Sequence, residues 1–131
     1  MIRAYLLLVA ANLVPIALSY GLLPGEVLPR IASVQVEGTD QIAIYRAIMG
    51  LYLGTAAFLG ISAFKADWRR VATIWAIFFL FSLAAGRILS LVLDGLPSPL
   101  FLFYLAAELL IGAVGLILLT RDARKSGNDV G

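Results

Sequence analysis

The sequence predicts an all-α integral membrane protein, a four-helix bundle of up-down-up-down order, and three observations carry that expectation. Of the 131 residues, 62% are hydrophobic and the mean hydropathy is +0.99, which lies outside the ordinary soluble range. Four apolar runs occur, each close to the roughly 20 residues a helix needs to cross a hydrocarbon core about 30 Å thick. The basic residues gather in the segments on one side of those runs.

The first run covers residues 4–23 and stops at Pro24-Gly25, a pair that ends helices. Asn12 and Pro15 lie inside it. Its basic flank is Arg3 alone and no clear small-x-small cleavage site follows, so it is expected to be a span and not a removed leader. The second, third and fourth spans are expected at about 42–64, 71–93 and 100–119. Residues 24–41 form an outer loop whose Val27, Leu28, Ile31, Val34 and Val36 suit it to lie on the membrane surface or cap the bundle. The two later connections are short, which makes the second and third spans, and the third and fourth, antiparallel neighbours. Residues 121–131 form a cytoplasmic tail, polar and expected to be disordered from Lys125 onward. The whole of 1–131 is a single membrane domain with no internal repeat and no room for a soluble catalytic unit.

Orientation follows from the basic residues near the span ends. Arg3, Lys65, Arg69, Arg70, Arg121, Arg124 and Lys125 fall on one side, and the loops opposite hold only Arg30. The first side is expected to be cytoplasmic, with both termini there, in a multi-pass protein of a bacterial inner membrane. The net charge of +2 therefore marks topology and does not point to nucleic acid.

The chain has no cysteine and no histidine. Thiol redox chemistry, disulfides, iron–sulfur clusters, histidine-held haem or zinc and histidine acid–base catalysis are excluded. No metal and no cofactor is expected.

Charge inside a span costs a few kcal/mol or more and faces a bundle interior, a wet cavity or a partner charge. Three such residues occur, Arg46 in the second span, Arg87 in the third and Glu108 in the fourth. At 1.5 Å rise per residue all three fall in the outer half of the bilayer, about 6 to 12 Å from the span ends. Arg87 and Glu108 meet at similar depth on the two arms of a hairpin, so an ion pair between them is expected. Arg87, Ser90 and Asp94 share one helix face. Arg46 either joins this cluster, leaving a positive excess for an acidic or quinone-like head, or snorkels to the interface. Tyr45, Tyr52 and Tyr104 are candidate hydroxyl donors beside it. Ser90 has no adjacent base, which argues against covalent catalysis. The candidate ligand-binding set is Arg46, Arg87, Ser90, Asp94, Glu108, Tyr45 and Tyr104, with no catalytic residue. Gly50 and Gly54 form a GxxxG match, and with Gly86 and Gly112 they are expected at helix contacts, within the bundle or in an oligomer.

The runs Tyr45-Arg46-Ala47-Ile48-Met49-Gly50-Leu51-Tyr52-Leu53-Gly54 and Gly86-Arg87-Ile88-Leu89-Ser90-Leu91-Val92-Leu93-Asp94-Gly95-Leu96-Pro97-Ser98, together with Glu108-Leu109, resemble a bacterial family of small four-helix membrane proteins known only as a domain of unknown function. The resemblance spans the first to the fourth helix, and its second run reads GR-x-x-S-x-x-x-DG-x-P-S. Such proteins look broadly like the DoxX-like membrane group, which implies quinone-linked redox or chaperoning of other membrane proteins by architecture alone.

Three functions compete. A non-enzymatic protein that binds a lipid or quinone-like ligand, or serves as an accessory subunit in a homo-oligomer or larger membrane complex, is favoured over the others. A quinone-linked membrane redox enzyme or subunit would need an electron carrier on a partner. A channel or transporter is least favoured, because the inner half offers only Asn12, Ser62 and Thr73 to line a path.

Overall fold

The computed structural model describes residues 1–128, with side chains through Arg124. It is all-helical, with α1 (Ile2–Gly21), α2 (Pro24–Ile31), α3 (Gly38–Phe64), α4 (Ala66–Leu93) and α5 (Pro99–Asn128), and no strand forms among the described residues. Four helices, α1, α3, α4 and α5, are long and apolar enough to cross a membrane.

The helices outrun the apolar runs at several ends. α3 begins at Gly38 and α4 at Ala66, before the expected 42 and 71, and α5 continues through Asn128 where an irregular tail is expected. Hydropathy marks the stretch that sits in hydrocarbon, whereas helix hydrogen bonding carries on into the polar residues beyond it. Residues 129–131 of the expected tail lie outside the described residues. The 24–41 segment contains α2, with Pro24 at its first turn, Glu26 near its N-terminus and Arg30 in its last turn, each placed where the helix dipole favours it. Leu28 is buried, which ties α2 down onto the bundle. Glycine is needed at two junctions, Gly38 (φ 79°) and Gly95 (φ 93°), where the chain enters α3 and leaves α4 through the left-handed region.

Side-chain contacts give the topology. The Arg3 guanidinium lies 4.6 Å from the Phe64 ring centroid, joining the start of α1 to the end of α3. Tyr52 packs edge-on to Phe79 at 5.3 Å and Phe58 lies near Trp68 at 6.3 Å, so α3 and α4 are antiparallel. A Cβ on Gly112 would meet Phe81, and one on Gly115 would meet Tyr5 and Ile77. α5 therefore runs antiparallel to α4 and ends beside the start of α1. The closest helix pairs are α1 with α3 and α4 with α5; α3 and α4, though joined through Lys65 alone, touch less extensively. Arg3, Lys65, Arg69, Arg70, Arg121 and Arg124 all lie toward one end, called the basic end below.

The core is concentrated toward that end. Leu6, Leu59, Ala63, Ala72, Thr73 and Ala76 are sealed from the exterior. Alanine at the contacts lets backbones approach, which matters in lipid because helix association there relies on close packing and not on escape from water. The Thr73 hydroxyl donates to the Arg69 carbonyl (2.7 Å) and so brings no unpaired donor into the core. Outward, Leu8, Phe78, Val92, Phe103 and Leu110 are exposed, as a hydrocarbon-facing surface requires.

Candidate functional site

α4 and α5 form a hairpin closed by the Gly95 turn, and this brings Arg87 and Glu108 to the same depth. The Arg87 Nε–H donates to both carboxylate oxygens of Glu108 at 3.0 Å. The two side chains are 18% and 9% exposed, so the pair is largely withdrawn from the exterior. Six residues separate Arg87 from the end of α4 at Leu93, which sets it about 9 Å inside. The guanidinium carbon lies 5.4 Å from the ring centroids of both Phe101 and Tyr104, within cation–π range.

Glu108 takes Nε of the guanidinium, and the hydroxyls of Tyr20 and Tyr52 lie within hydrogen-bonding reach of it. The open space beside them consists of two cavities. One, of about 370 Å³, lies among α1, α4 and α5, with Tyr52 of α3, and reaches from Val9 to Ser19 along α1. The other, of about 480 Å³, lies among α3, α4 and α5, with Tyr20 of α1, and reaches from Ser82 to Leu91 along α4. Arg87, Tyr52 and Leu83 line both, so the two cavities adjoin at these side chains. Both linings are chiefly apolar with a few polar groups, the usual composition of a small-molecule site.

The first cavity has polar capacity to spare. Asn12 Nδ2 donates to the Leu8 carbonyl (2.8 Å) and the Ser19 hydroxyl to the Ile16 carbonyl (2.7 Å), so the amide oxygen of Asn12 and the lone pairs of Ser19 remain as acceptors. Pro15 also lines it and lacks the N–H that would bond the Ala11 carbonyl.

The structure separates the sequence-derived residues. Glu108 and Tyr104 line the first cavity, Ser90 the second, and Arg87 both. Arg46 does not join them: it is exposed, lines neither cavity, and forms no ion pair among the described residues. The positive excess anticipated from two arginines against one carboxylate therefore does not arise, and the pair Arg87–Glu108 is formally neutral. Tyr45 lies outside both cavities and stacks on Tyr20 at 6.2 Å. Asp94 is exposed and accepts a hydrogen bond from Ser90 Oγ at 2.8 Å, so the polar stripe ends in a local contact at the mouth. Among the glycines, Gly112 is at a helix contact, against Phe81, whereas Cβ atoms on Gly50, Gly54 and Gly86 would meet nothing within 4 Å. The GxxxG face is open, lying in a shallow groove with Leu51, Phe58 and Trp75. Tyr20 and the glycine contacts at Gly21 and Gly115 had no sequence signal to single them out, since an apolar helix shows no preferred face.

These features define a class: a small four-helix membrane protein with a charge-neutral Arg–Glu pair set between two cavities away from its basic end. Residues 1–119 match the model of the family described as "Domain of unknown function (DUF4345)", and the chain belongs to that family. No match was found among curated proteins or among solved structures.

Proposed function

We propose that this protein binds a membrane amphiphile, lodging a hydrogen-bond-accepting polar group on Arg87 and an apolar body in the adjoining cavities. The observation that carries this reading is the place of the Arg87 guanidinium: held at Nε by Glu108, with the Tyr20 and Tyr52 hydroxyls in reach, it lines two largely apolar cavities. An arginine held by one carboxylate supplies oriented donors with little rotamer loss on binding. Neutrality of the pair favours an acceptor such as a carbonyl, ester or zwitterionic phosphate over a net anion, because an added anion would bring uncompensated charge into a medium of low dielectric. Quinone-like ligands satisfy the same chemistry, which keeps the resemblance to the DoxX-like group compatible with this reading. The excess of Arg3, Lys65, Arg69, Arg70, Arg121 and Arg124 at one end supports a bacterial inner-membrane orientation with both termini cytoplasmic and the cavities in the outer leaflet.

The test is native mass spectrometry from native-lipid nanodiscs on wild type, Arg87→Ala and the apolar double variant Arg87→Met/Glu108→Leu, which removes the charges while keeping volume. A species retained at one per chain by wild type and lost from both variants is expected. If wild type retains nothing specific, or the variants retain the same species, the reading fails and an accessory role with protein partners takes its place.

A further inference from the structure

Independently of any ligand, we infer that the outward face of α3 is where a second copy of this chain packs, in a parallel two-fold pair. Ala43, Ala47, Gly50, Gly54, Ala57 and Ile61 recur at alternating spacings of four and three, so they form one stripe, and all six are exposed. The stripe lies opposite the buried Tyr52, Ala56, Leu59 and Ala63 and so points away from the bundle. The outward faces of α1, α4 and α5 carry large side chains such as Leu8, Phe78 and Leu110. Contact with lipid does not require a smooth strip about 27 Å long, whereas helices in a membrane associate by bringing their backbones together at such residues.

A second observation at the same place calls for a partner. Thr55 is 4% exposed and lines the groove beside the stripe with Gly50, Gly54 and Trp75. Thr73 and Thr120 bond back to carbonyls of their own helices. The Thr55 hydroxyl forms no hydrogen bond among the described residues and is not sealed from the exterior, so it opens into the groove. An unmet donor in hydrocarbon is costly, and a helix laid close over Gly50 and Gly54 brings backbone carbonyls toward it.

Symmetry and charge identify the occupant. Copies inserted the same way present the same stripe at the same depth, and an isologous contact sets small residues against small residues on both sides. Asp40, in the first turn of α3, and Arg46 are exposed and in no ion pair among the described residues. At about 3.6 residues per turn they flank the stripe by about 60° on opposite sides, and a two-fold axis along the helices turns the Arg46 flank of one copy toward the Asp40 flank of the other. Their depths differ by about 9 Å, most of which the arginine stem covers because side chains lean toward the N-terminus of their helix. A partner helix with large side chains would be held off from Thr55.

The chain has no cysteine, so a single one reports on its own position. Ala47→Cys on the stripe and Phe78→Cys on the outward face of α4 are oxidised in native membrane vesicles, each alone and combined with Gly50→Leu/Gly54→Leu. Cβ atoms on these glycines meet nothing within 4 Å, so the leucines fit the single chain. Ala47→Cys is expected to give a disulfide-linked dimer and Phe78→Cys almost none, and the two leucines should lower the Ala47→Cys yield by about tenfold or more. Photobleaching steps in supported bilayers should count two chains per spot for wild type and one for the leucine variant. The wild-type count and the contrast between the two cysteines decide the matter even where the leucine variant fails to fold. A monomeric wild type, a count above two, equal linking at the two cysteines, or a folded leucine variant that still pairs overturns the inference. So does a single wild-type chain from which the leucines strip another membrane protein, since the face then docks a different partner.

Discussion

Toward the basic end, Leu6, Leu59, Ala63, Ala72 and Thr73 interlock without space between helices, whereas in the opposite half α3 has no buried residue before Tyr52 and α4 has none after Ala84. The same four helices build both halves, so the difference lies in side-chain size at the contacts. Alanine draws the helices together at the basic end. In the other half α1 and α3 still meet closely, at Gly21 and Met49, but toward α4 and α5 the space is taken by Tyr20, Tyr52, Phe101, Tyr104 and the Arg87–Glu108 pair. A packed end and a more open end carrying the one buried carboxylate among the described residues are the arrangement that the proposed binding role would call for.

The largest effect should come from breaking the one ionic contact of the open half. Glu108→Ala leaves the Arg87 guanidinium without its carboxylate and is expected to cost about 3 kcal/mol, the lower end for a broken buried pair because Arg87 keeps partial access to the cavities. Unfolding by SDS titration in mixed micelles measures it, and Arg87→Met/Glu108→Leu should recover most of the loss. Arg46→Gln, at an exposed arginine, should shift the midpoint by no more than about 0.5 kcal/mol. A large Arg46 effect would return that residue to the cluster.

The packed half should respond to lost volume. Leu59→Ala is expected to destabilise by about 2 kcal/mol, near the bottom of the range for core leucines because lipid supplies less transfer energy than water. Leu83→Ala, at a half-buried position where two existing cavities adjoin, should cost about 1 kcal/mol or less. Equal losses would mean that the two halves are packed alike.

Added volume gives the sharpest contrast in sign. Gly115→Leu drives a side chain against Tyr5 and Ile77 and is expected to cost about 1 to 3 kcal/mol. Gly86→Leu meets nothing within 4 Å and should be neutral or slightly stabilising, since leucine has the better helix propensity. Thermal denaturation of the two variants in one detergent resolves the contrast.

Several of these features are legible in the residues alone. The four spans follow from run length, and the common placement of the basic segments follows from an even number of crossings. The Arg87–Glu108 pairing is readable because both residues lie on a hairpin whose turn is short, so depth along two antiparallel helices can be counted at a fixed rise. Depth along a membrane helix is a local quantity. The direction a residue faces around the helix is not.

That second coordinate explains what the sequence left open. A soluble helix announces its buried face by polarity, but a spanning helix is apolar all round, so nothing in the pattern near Arg46 says whether it looks inward or toward lipid. Likewise Gly50-x-x-x-Gly54 offers a close approach without saying that a neighbour takes it, and no helix among the described residues of the chain does. The exposure of Arg46, the open glycine face, and the two cavities adjoining at Tyr52, Leu83 and Arg87 were decided by how the helices rotate against one another. Sequence determined where each residue sits along the membrane normal, because that depends on counting; tertiary structure decided what it faces, because that depends on the volumes of side chains far away in the chain.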